Sequence, residues 1–233
     1  MQSSFNANAE QQALAAPAAQ YGEGAQGDYN PSEIEIPLLS LVQGVGDLAN
    51  KELEDGTILR PGDIVLMRQF ILPQPVGITV FKHVKYYYQN IEFDPNIRRK
   101  EFATEQEVVE AGGNLDFVRK PNEDPDNYVK SSRISLAVDI PEDLSETVVS
   151  IPFEERFVTP AQWKVSKSAF QAVIPRLNLI EMTLRVKKEP LASKRFNLSS
   201  DRVTKGKHTF YVPSLREFGK NSPEFVEFLR SIF

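Results

Sequence analysis

Aromatic and basic residues are grouped in one stretch of this chain, a combination that suits non-covalent binding. Three consecutive tyrosines, Tyr86 to Tyr88, follow a histidine and two lysines in the stretch KHVKYYYQN. Because aromatic rings stack on bases and cations track phosphates, this composition is typical of a surface that holds single nucleic-acid strands. The alternative is that the rings are core residues with at most a hydroxyl in water.

Charge is unevenly distributed along the chain. Residues 1–160 carry 26 acidic and 13 basic side chains, a net of −13, whereas residues 161–220 carry 4 acidic and 13 basic side chains, a net of +9. A basic segment attracts polyanions, because each neutralised phosphate releases counterions. The alternative is a solvated basic face that the acidic half of the chain balances. The charge pattern therefore indicates nucleic-acid binding without requiring it.

Alternation along predicted strands decides which side chains are candidates for binding, because successive residues of a strand point to opposite faces. In KHVKYYYQN we expect Lys85 and Tyr87 on the outer surface, with Tyr86 and Tyr88 toward the core; the reverse parity stays open. The segment LNLIEMTLRVKK, interpreted as a strand, has one apolar and one charged face. The predicted nucleic-acid-binding residues are Lys82, Lys85, Tyr87, Lys164, Lys167, Arg185, Lys187, Lys205, Lys207 and Tyr211.

The secondary structure predicted around these residues is mainly β. Short β-rich runs alternate with Pro, Gly, Asn and Asp, a pattern that favours a mainly β domain, either a barrel or a sandwich. The runs are IEIPLLSLVQ, GDIVLM, GITVFKHVKYYYQNIEF, RISLAVDI, TVVSIPF, LNLIEMTLRVKK and KHTFYVP.

Three helices are predicted from their start signals. Thr104 and Glu107 form a capping box that opens TEQEVVEAGG. Thr159, followed by a proline at the first helical position, predicts a helix over PAQWKVSKSAFQAVI. Ser222 opens the last helix, whose apolar stripe we interpret as a core face rather than a docking peptide. The stripe consists of Phe225, Phe228, Leu229 and Ile232.

Composition divides the chain into three parts. Residues 1–32 are rich in Ala, Gln, Gly and Asn and predict a flexible acidic tail, with a short helix over residues 8–16 as the alternative. Residues 33–220 form the predicted binding domain, and an Asn-, Asp- and Pro-rich stretch at about 112–133 predicts a long surface loop inserted in its sheet. Residues 221–233 contain the amphipathic C-terminal helix.

Enzymatic chemistry finds no support in the sequence. The chain has no cysteine, which excludes disulfides, thiolate nucleophiles and Cys-based zinc sites, and no phosphate-loop, dinucleotide-binding, zinc-protease or nucleophile-elbow motif. His83 and His208 lack metal-ligand spacing. Carboxylates such as Asp63, Glu92 and Asp94 could bind an ion only by convergence in the fold. We therefore predict a protein that is not an enzyme and uses no cofactor or metal.

No targeting segment is evident. The N-terminus has no basic region followed by an apolar one, and no run approaches the roughly 18 apolar residues of a membrane span. We expect a soluble protein of the cytoplasm, or of the host-cell cytoplasm if it is phage-encoded, without a membrane partner. The oligomeric state is not specified by these patterns.

The order of several segments resembles a loosely defined group of bacteriophage-encoded proteins regarded as single-stranded DNA-binding. The segments are IPLLSLVQGVG, GDIVL, a long strand reaching EFDPN, PFEERFVTPAQWKVSKSAFQAV and KGKHTFYVPSLREFG, which cover about residues 34–220. The resemblance implies a five-stranded oligonucleotide-binding (OB) barrel with insertions and two or three short helices, acting in phage DNA replication or recombination. The implied ligand is single-stranded DNA, with RNA as an alternative, and replication or recombination proteins are candidate partners. The alternative function is a viral structural or assembly protein that makes protein contacts.

Overall fold

Strands dominate the architecture. The structure is a computed structural model that describes residues 36–45, 47–92, 99–116 and 123–233. Within these ranges ten strands form one sheet, and three helices accompany it. The strands are β1 (Leu38–Leu41), β2 (Ile64–Leu66), β3 (Phe70–Leu72), β4 (Val76–Gln89), β5 (Glu101–Phe102), β6 (Tyr128–Ile140), β7 (Ile151–Phe153), β8 (Arg156–Ser166), β9 (Lys194–Lys205) and β10 (His208–Lys220). The helices are α1 (Glu105–Glu110), α2 (Lys167–Val186) and α3 (Pro223–Ile232).

The sheet follows the order β10-β9-β4-β6-β8-β1-β2-β3, with β5 added to β4 and β7 to β8. Strands β1 and β8 are parallel, and the other pairs that the structure describes are antiparallel. The sheet curls as a half-barrel, so the chain after β1 reaches β10. There the Gln43 side chain donates to the Tyr211 carbonyl (2.9 Å) and accepts from the Tyr211 amide (3.3 Å). The mainly β prediction is confirmed, and the described residues form ten strands rather than the five expected.

The main hydrophobic core lies between the concave side of the sheet, here called the inner face, and helix α2. Alternate residues of the long strands supply it, because a strand buried on one face exposes every second side chain to the core. The buried core residues include Ile78, Val80, Ile134, Leu136, Val138, Trp163, Phe196 and Leu198 of the sheet and Phe170, Val173, Ile174, Leu177 and Leu184 of α2. The opposite side of the sheet is called the outer face.

A β-bulge at Phe81 sets which side chains of β4 face this core. Val80 lies opposite Leu136 of β6, whereas Lys82 lies opposite Ser135, so β4 carries one extra residue at this point. Because opposed residues of an antiparallel pair share a face, the extra residue reverses the parity of β4. Val80 is therefore in the core, and from Lys82 onward the even-numbered residues of β4 lie on the outer face.

Helix α3 covers one end of the outer face. The Ser222 side chain caps it by accepting a hydrogen bond from the Phe225 amide (3.2 Å). Phe225 and Leu229 are fully buried and pack with Ala137 of β6 and Val158 of β8. The prediction that the apolar stripe of this helix is a core face is confirmed.

An ion network lies beside α3. The Asp139 carboxylate of β6 accepts hydrogen bonds from Arg156 (3.2 Å) and Arg195 (2.8 Å), and the Arg156 guanidinium lies 4.0 Å from the ring centre of Phe225. A β-carbon on Gly77 would come within 2.0 Å of this carboxylate, so a glycine is needed at that position of β4. Asp139 thus links β4, β6, β8 and β9 beneath the C-terminal helix.

Helix α1 begins and ends where its sequence predicts. The Thr104 hydroxyl accepts from the Glu107 amide (3.2 Å), and the Glu107 carboxylate accepts from the Ala103 amide (2.9 Å), as a capping arrangement requires. Gly112 follows the helix with φ +79°, in the left-handed region that terminates helices. The predicted helix is confirmed.

The predictions for two segments, a helix from residue 160 and a strand over LNLIEMTLRV, are wrong. Residues 160–166, predicted to open a helix, continue strand β8, because they pair with β6 and β1; the buried Thr159 hydroxyl donates to the Val149 carbonyl (2.9 Å) instead of capping a helix. The segment LNLIEMTLRV, predicted as a strand, is the second half of α2. Burial at three- and four-residue intervals along α2 explains this outcome, because it matches the helical period.

The predicted segments 1–32 and 112–133 are described only in part. The tail lies outside the described residues, as do residues 117–122 of the inserted loop. Within the described part, strand β6 begins at Tyr128, so the predicted loop is shorter than expected at its C-terminal end. In the described ranges, no helix has the length and apolar character needed to cross a membrane.

Candidate nucleic-acid interface

Side chains of three adjacent strands form an aromatic and basic surface on the outer face, beyond the area that α3 covers. We call it the aromatic–cationic face. It consists of Lys82, Val84, Tyr86 and Tyr88 of β4, Ser131, Arg133 and Ser135 of β6, and Gln162, Lys164 and Ser166 of β8.

The strand register brings these residues together. Arg133 is opposite Val84 on one side and opposite Lys164 on the other, so the three residues form one row across the sheet. The neighbouring row begins with Lys82, whose partners on β6 and β8 are a serine and a glutamine. Strands lie about 4.8 Å apart, so such a row extends for roughly 10 Å between β4 and β8. The small polar residues between the larger side chains project little from the sheet, so the surface between them is nearly flat.

The aromatic part of the face is centred on two tyrosines. The ring centres of Tyr86 and Tyr88 are 6.1 Å apart, and Arg133 lies 4.4 Å from the Tyr86 ring centre. Arg99 lies 5.7 Å from the Tyr88 ring centre. Tyr86 is buried beneath its neighbours, and burial raises the pKa of its phenol, whereas the nearby Arg133 acts in the opposite direction. Tyr88 is only half-buried, so it is the ring of the pair that a ligand can reach.

The cationic part of the face contains one paired and two free charges. Arg133 forms an ion pair with Glu101 of β5, and both side chains remain about two-fifths exposed. Lys82 and Lys164 are exposed and form no ion pair with any residue that the structure describes. Since a free surface cation can exchange its counterions for phosphates, the two lysines are available to a polyanion.

Two of the predicted binding residues, Lys82 and Lys164, lie on this face, whereas Lys85 and Tyr87, the other two predicted in KHVKYYYQN, do not. Lys85 is exposed on the opposite face of β4. Tyr87, predicted as an exposed stacking ring, is buried with only 5% of its surface accessible. It packs with Val108 of α1 and with Tyr128, Phe102 and Leu115. The prediction for Tyr87 is wrong, because the bulge reverses the parity of β4 and α1 then covers that ring.

The remaining predicted residues lie at other places. Lys167 is the first residue of α2, and Arg185 and Lys187 lie at its C-terminal end, where Arg185 pairs with Glu181 (2.8 Å). Arg185 therefore lies on a helix and Lys187 caps that helix, and neither lies on the charged face of a strand. The basic segment predicted from charge does not form a single surface within the described residues.

The hairpin of β9 and β10 carries the last three predicted residues. Lys205 and Lys207 are exposed beside Gly206 at its turn. Tyr211 is half-buried, and a β-carbon on Gly62 would lie 2.7 Å from the Tyr211 ring, so this ring packs directly on the Gly62 backbone. Gly62 has φ +101°, which also favours glycine. The Tyr211 ring is therefore engaged by the protein on that side.

Sequence reasoning missed Arg133 and assigned Tyr86 and Tyr88 to the core. The signal for Arg133 is present in RISLAVDI, where Arg133 and Ser135 alternate with the apolar residues that reach the core. No comparable signal exists for the tyrosines, because their orientation depends on the bulge seven residues or fewer before them.

The described residues do not include a metal-binding cluster, and similarity to known proteins does not identify the site. Among the residues that the structure describes, no three His, Asp or Glu side chains come together as a metal site, and Asp94 lies outside the described residues. Comparisons with protein-family models, with curated proteins and with solved structures found no match. Function is therefore inferred here from the chemistry of the aromatic–cationic face.

Proposed function

We propose that this protein binds single-stranded nucleic acid on the aromatic–cationic face, without catalysing a reaction. The observation that carries this proposal is the reachable Tyr88 ring, which is tilted against Tyr86 and shares one face of the sheet with Arg133 and the free cations Lys82 and Lys164. Rings for bases and cations for phosphates on one strand surface are the two components of a single-strand binding platform.

Base stacking accounts for the preference for single strands. A ring that lies on a sheet surface can stack only on a base that has left its own stack, which duplexes do not provide. Tyr88 offers such a ring, and Val84, which lies beyond Tyr86 on the same face of β4, is 56% exposed and gives a base or sugar an apolar contact. Stacking of this kind is tolerant of sequence because every base has a π-face.

Phosphate neutralisation accounts for affinity. Lys82, Arg133 and Lys164 lie in two adjacent rows across β4, β6 and β8, a spacing that a nucleic-acid backbone can follow. Each phosphate bound lowers the slope of log K against log salt by about 0.7 for single strands. With three cations, we expect a slope of roughly −2.

The finer parts of the proposal come from the sequence. We include in it an OB-type barrel and a role in phage DNA replication or recombination, both of which the sequence resemblance implies. Single-stranded DNA is the proposed ligand, and RNA is the alternative. Aromatic and basic residues on outer strands of a β-barrel agree with the way OB domains bind oligonucleotides.

Fluorescence anisotropy with a labelled oligothymidylate tests the proposal. Lys164→Glu should weaken binding, whereas Lys187→Glu, the same charge change at the end of α2, should leave affinity nearly unchanged. Duplex DNA and RNA oligomers of equal length measure the preference for strand type. Equal losses in both variants would show that the face is not the site. Absence of salt-dependent binding in the wild type would favour the alternative, a structural or assembly protein.

A further inference from the structure

Strands β9 and β10 extend beyond the rest of the sheet as a two-stranded ribbon. Strand β4 pairs with β9 only at residues 196–198. From Asp201 to the turn at Gly206, β9 pairs only with β10 among the strands that the structure describes. Helix α3 packs on β6 and β8, and the apolar cluster beneath it includes no described residue of β9 or β10. The outer side of the ribbon is therefore open.

The register shows which side chains of the ribbon lie on the outer face of the sheet. Leu198 and Leu215 are opposite each other and buried in the main core, so the residues that alternate with them lie on the outer face. Arg195 also lies there, because it binds Asp139 on the outer side of β6. We call this side of the two strands the outer ribbon. The side chains that matter here are Arg195, Val203 and Lys205 of β9 and Phe210, Arg216 and Phe218 of β10.

Phe218 provides the outer ribbon with an exposed aromatic ring. It is the extra residue where the register of the two strands shifts, between Glu217 and Gly219, and it is 46% exposed. The Arg195 guanidinium lies over this ring, 4.7 Å from its centre. Asp139 accepts a hydrogen bond from the same guanidinium (2.8 Å), so the cation is held in place beside the ring. The exposed part of the ring is free to stack on a base.

A second ring lies further along the outer ribbon. Phe210 is opposite Val203 and only half-buried. At about 3.4 Å per residue, Phe210 and Phe218 lie roughly 25 Å apart along the strand. An extended strand of several nucleotides can follow a surface of this length.

Positive charge exceeds negative charge along the ribbon. From residue 194 to residue 220 the chain has seven lysines and arginines but only two acidic residues, one of which, Glu217, pairs with Lys194. On the outer ribbon, Lys205 and Arg216 are exposed and form no ion pair with any residue that the structure describes. Unpaired cations of this kind exchange their counterions for phosphates.

We propose that the outer ribbon is a second contact surface for single-stranded nucleic acid. This inference rests on the proposed function and extends the length of strand that one protein molecule holds. Rings for bases and unpaired cations for phosphates occur together here, as they do on the aromatic–cationic face. Both surfaces lie on the outer side of one sheet, because β9 is the neighbour of β4. The excess of positive charge favours a polyanion over a partner without net charge.

Strand length separates the two surfaces in an experiment. Single-strand binding domains occupy about 4–16 nucleotides each, so an oligothymidylate of about 8 nucleotides occupies one surface, whereas one of about 24 can reach both. The short strand should therefore bind the aromatic–cationic face in every variant of the ribbon. Only the long strand should lose affinity when the ribbon is changed.

Anisotropy titrations with both oligothymidylates test the charge of the ribbon. Arg216→Glu reverses a charge on the outer ribbon, and Arg202→Glu makes the same change at an exposed residue on the opposite side of the same hairpin. Arg216→Glu should weaken binding of the long strand and make its slope of log K against log salt shallower by about 0.7 or more. Arg202→Glu should bind both strands like the wild type. Equal losses in the two variants, or unchanged long-strand binding in Arg216→Glu, overturn the inference.

Substitutions at Phe218 test stacking separately from folding. Phe218→Leu keeps an apolar side chain beside Arg195 but removes the ring, so it should weaken binding of the long strand roughly 5- to 150-fold, the usual loss for one stacked base. Phe218→Tyr keeps the ring and should bind like the wild type. A Phe218→Leu protein with the melting temperature and the long-strand affinity of the wild type contradicts the inference.

The short strand distinguishes failure of this inference from failure of the proposed function. If the short strand binds and Lys164→Glu weakens that binding, while no ribbon variant affects the long strand, only the second surface is refuted. If Lys164→Glu has no effect but the ribbon variants weaken long-strand binding, the ribbon is supported and the aromatic–cationic face is not the site. A wild type that binds neither strand refutes both.

Discussion

Truncation of the three consecutive tyrosines, one at a time, should separate binding from stability. Tyr86 and Tyr88 lie on the aromatic–cationic face, whereas Tyr87 lies on the opposite face, under α1. Tyr88→Ala should weaken binding of an oligothymidylate by about 1–3 kcal/mol, the usual loss for one stacked base, which corresponds to roughly 5- to 150-fold. Its effect on stability should be small, because the half-buried ring leaves no closed cavity.

Tyr87→Ala is the matched contrast. Only 5% of the Tyr87 surface is accessible, and the ring packs with Val108 and Tyr128. Its removal should lower the free energy of unfolding by about 3–5 kcal/mol, the range for large aromatic truncations in cores. Affinity measured well below the melting temperature should stay close to that of the wild type. Tyr86→Ala should change both quantities, since this ring is buried but lies under Arg133.

Anisotropy titrations and thermal denaturation of the same samples measure the two effects, and Tyr88→Phe controls for the ring without its hydroxyl. That variant should bind almost normally, because the Tyr88 hydroxyl makes only a long contact to Ser166 (3.5 Å). If a folded Tyr88→Ala protein binds like the wild type, the ring does not stack on a base. If Tyr87→Ala loses affinity but no stability, the assignment of the two faces is wrong.

Three further substitutions test charges that the structure places in defined surroundings. Glu101→Gln should strengthen single-strand binding by up to about fivefold in the same titration, because it frees Arg133 from a partly exposed ion pair worth roughly 0.2–1 kcal/mol; weaker binding would contradict this. Asp139→Asn should lower the free energy of unfolding in urea by about 3–5 kcal/mol, since two partly buried guanidiniums lose their counter-charge; an unchanged midpoint would exclude that role. A hydrogen bond from Arg185, one helical turn further on, lowers the pKa of Glu181 below its ordinary value. The ionised Glu181 therefore stabilises the fold fully at pH values above the ordinary pKa, and this stabilisation disappears as the pH falls through the lowered pKa. Urea denaturation between neutral and acidic pH should therefore show less acid destabilisation in Glu181→Gln than in the wild type, and parallel curves would refute this.

Local signals predicted the parts of the fold whose determinants lie within a few residues. The Thr104 cap defines α1, and the Ser222 cap with its apolar stripe defines α3, because capping involves side chains and amides two or three residues apart. The charge pattern and the alternation in β6 are likewise readable in the sequence. The aromatic and basic composition of KHVKYYYQN led to Lys82, and the basic segment after residue 160 led to Lys164; both lie on the candidate interface.

Two elements were mispredicted because their sequences satisfy two patterns at once. The segment LNLIEMTLRVKK has apolar residues at every second position and also at helical spacing, since one side of α2 meets the core and the other carries the exposed residues Leu179, Met182 and Val186. Thr159 and Pro160 are residue types that commonly begin a helix. Pairing of β8 with both β6 and β1 outweighs this signal, because ladder bonds on two sides exceed the contribution of one cap.

Local patterns were enough to predict a mainly β protein, the first residues of α1 and α3, and the positive charge that gathers after residue 160. Which tyrosine reaches the surface, and the position of Arg133 between β4 and Lys164, depend on pairing between distant strands. A single extra residue at Phe81 reverses the orientation of every later side chain of β4, and only the register with β6 reveals that this residue is extra. Burial of Tyr87 beneath α1 and the dispersion of the basic segment likewise arise from contacts between residues far apart in the chain.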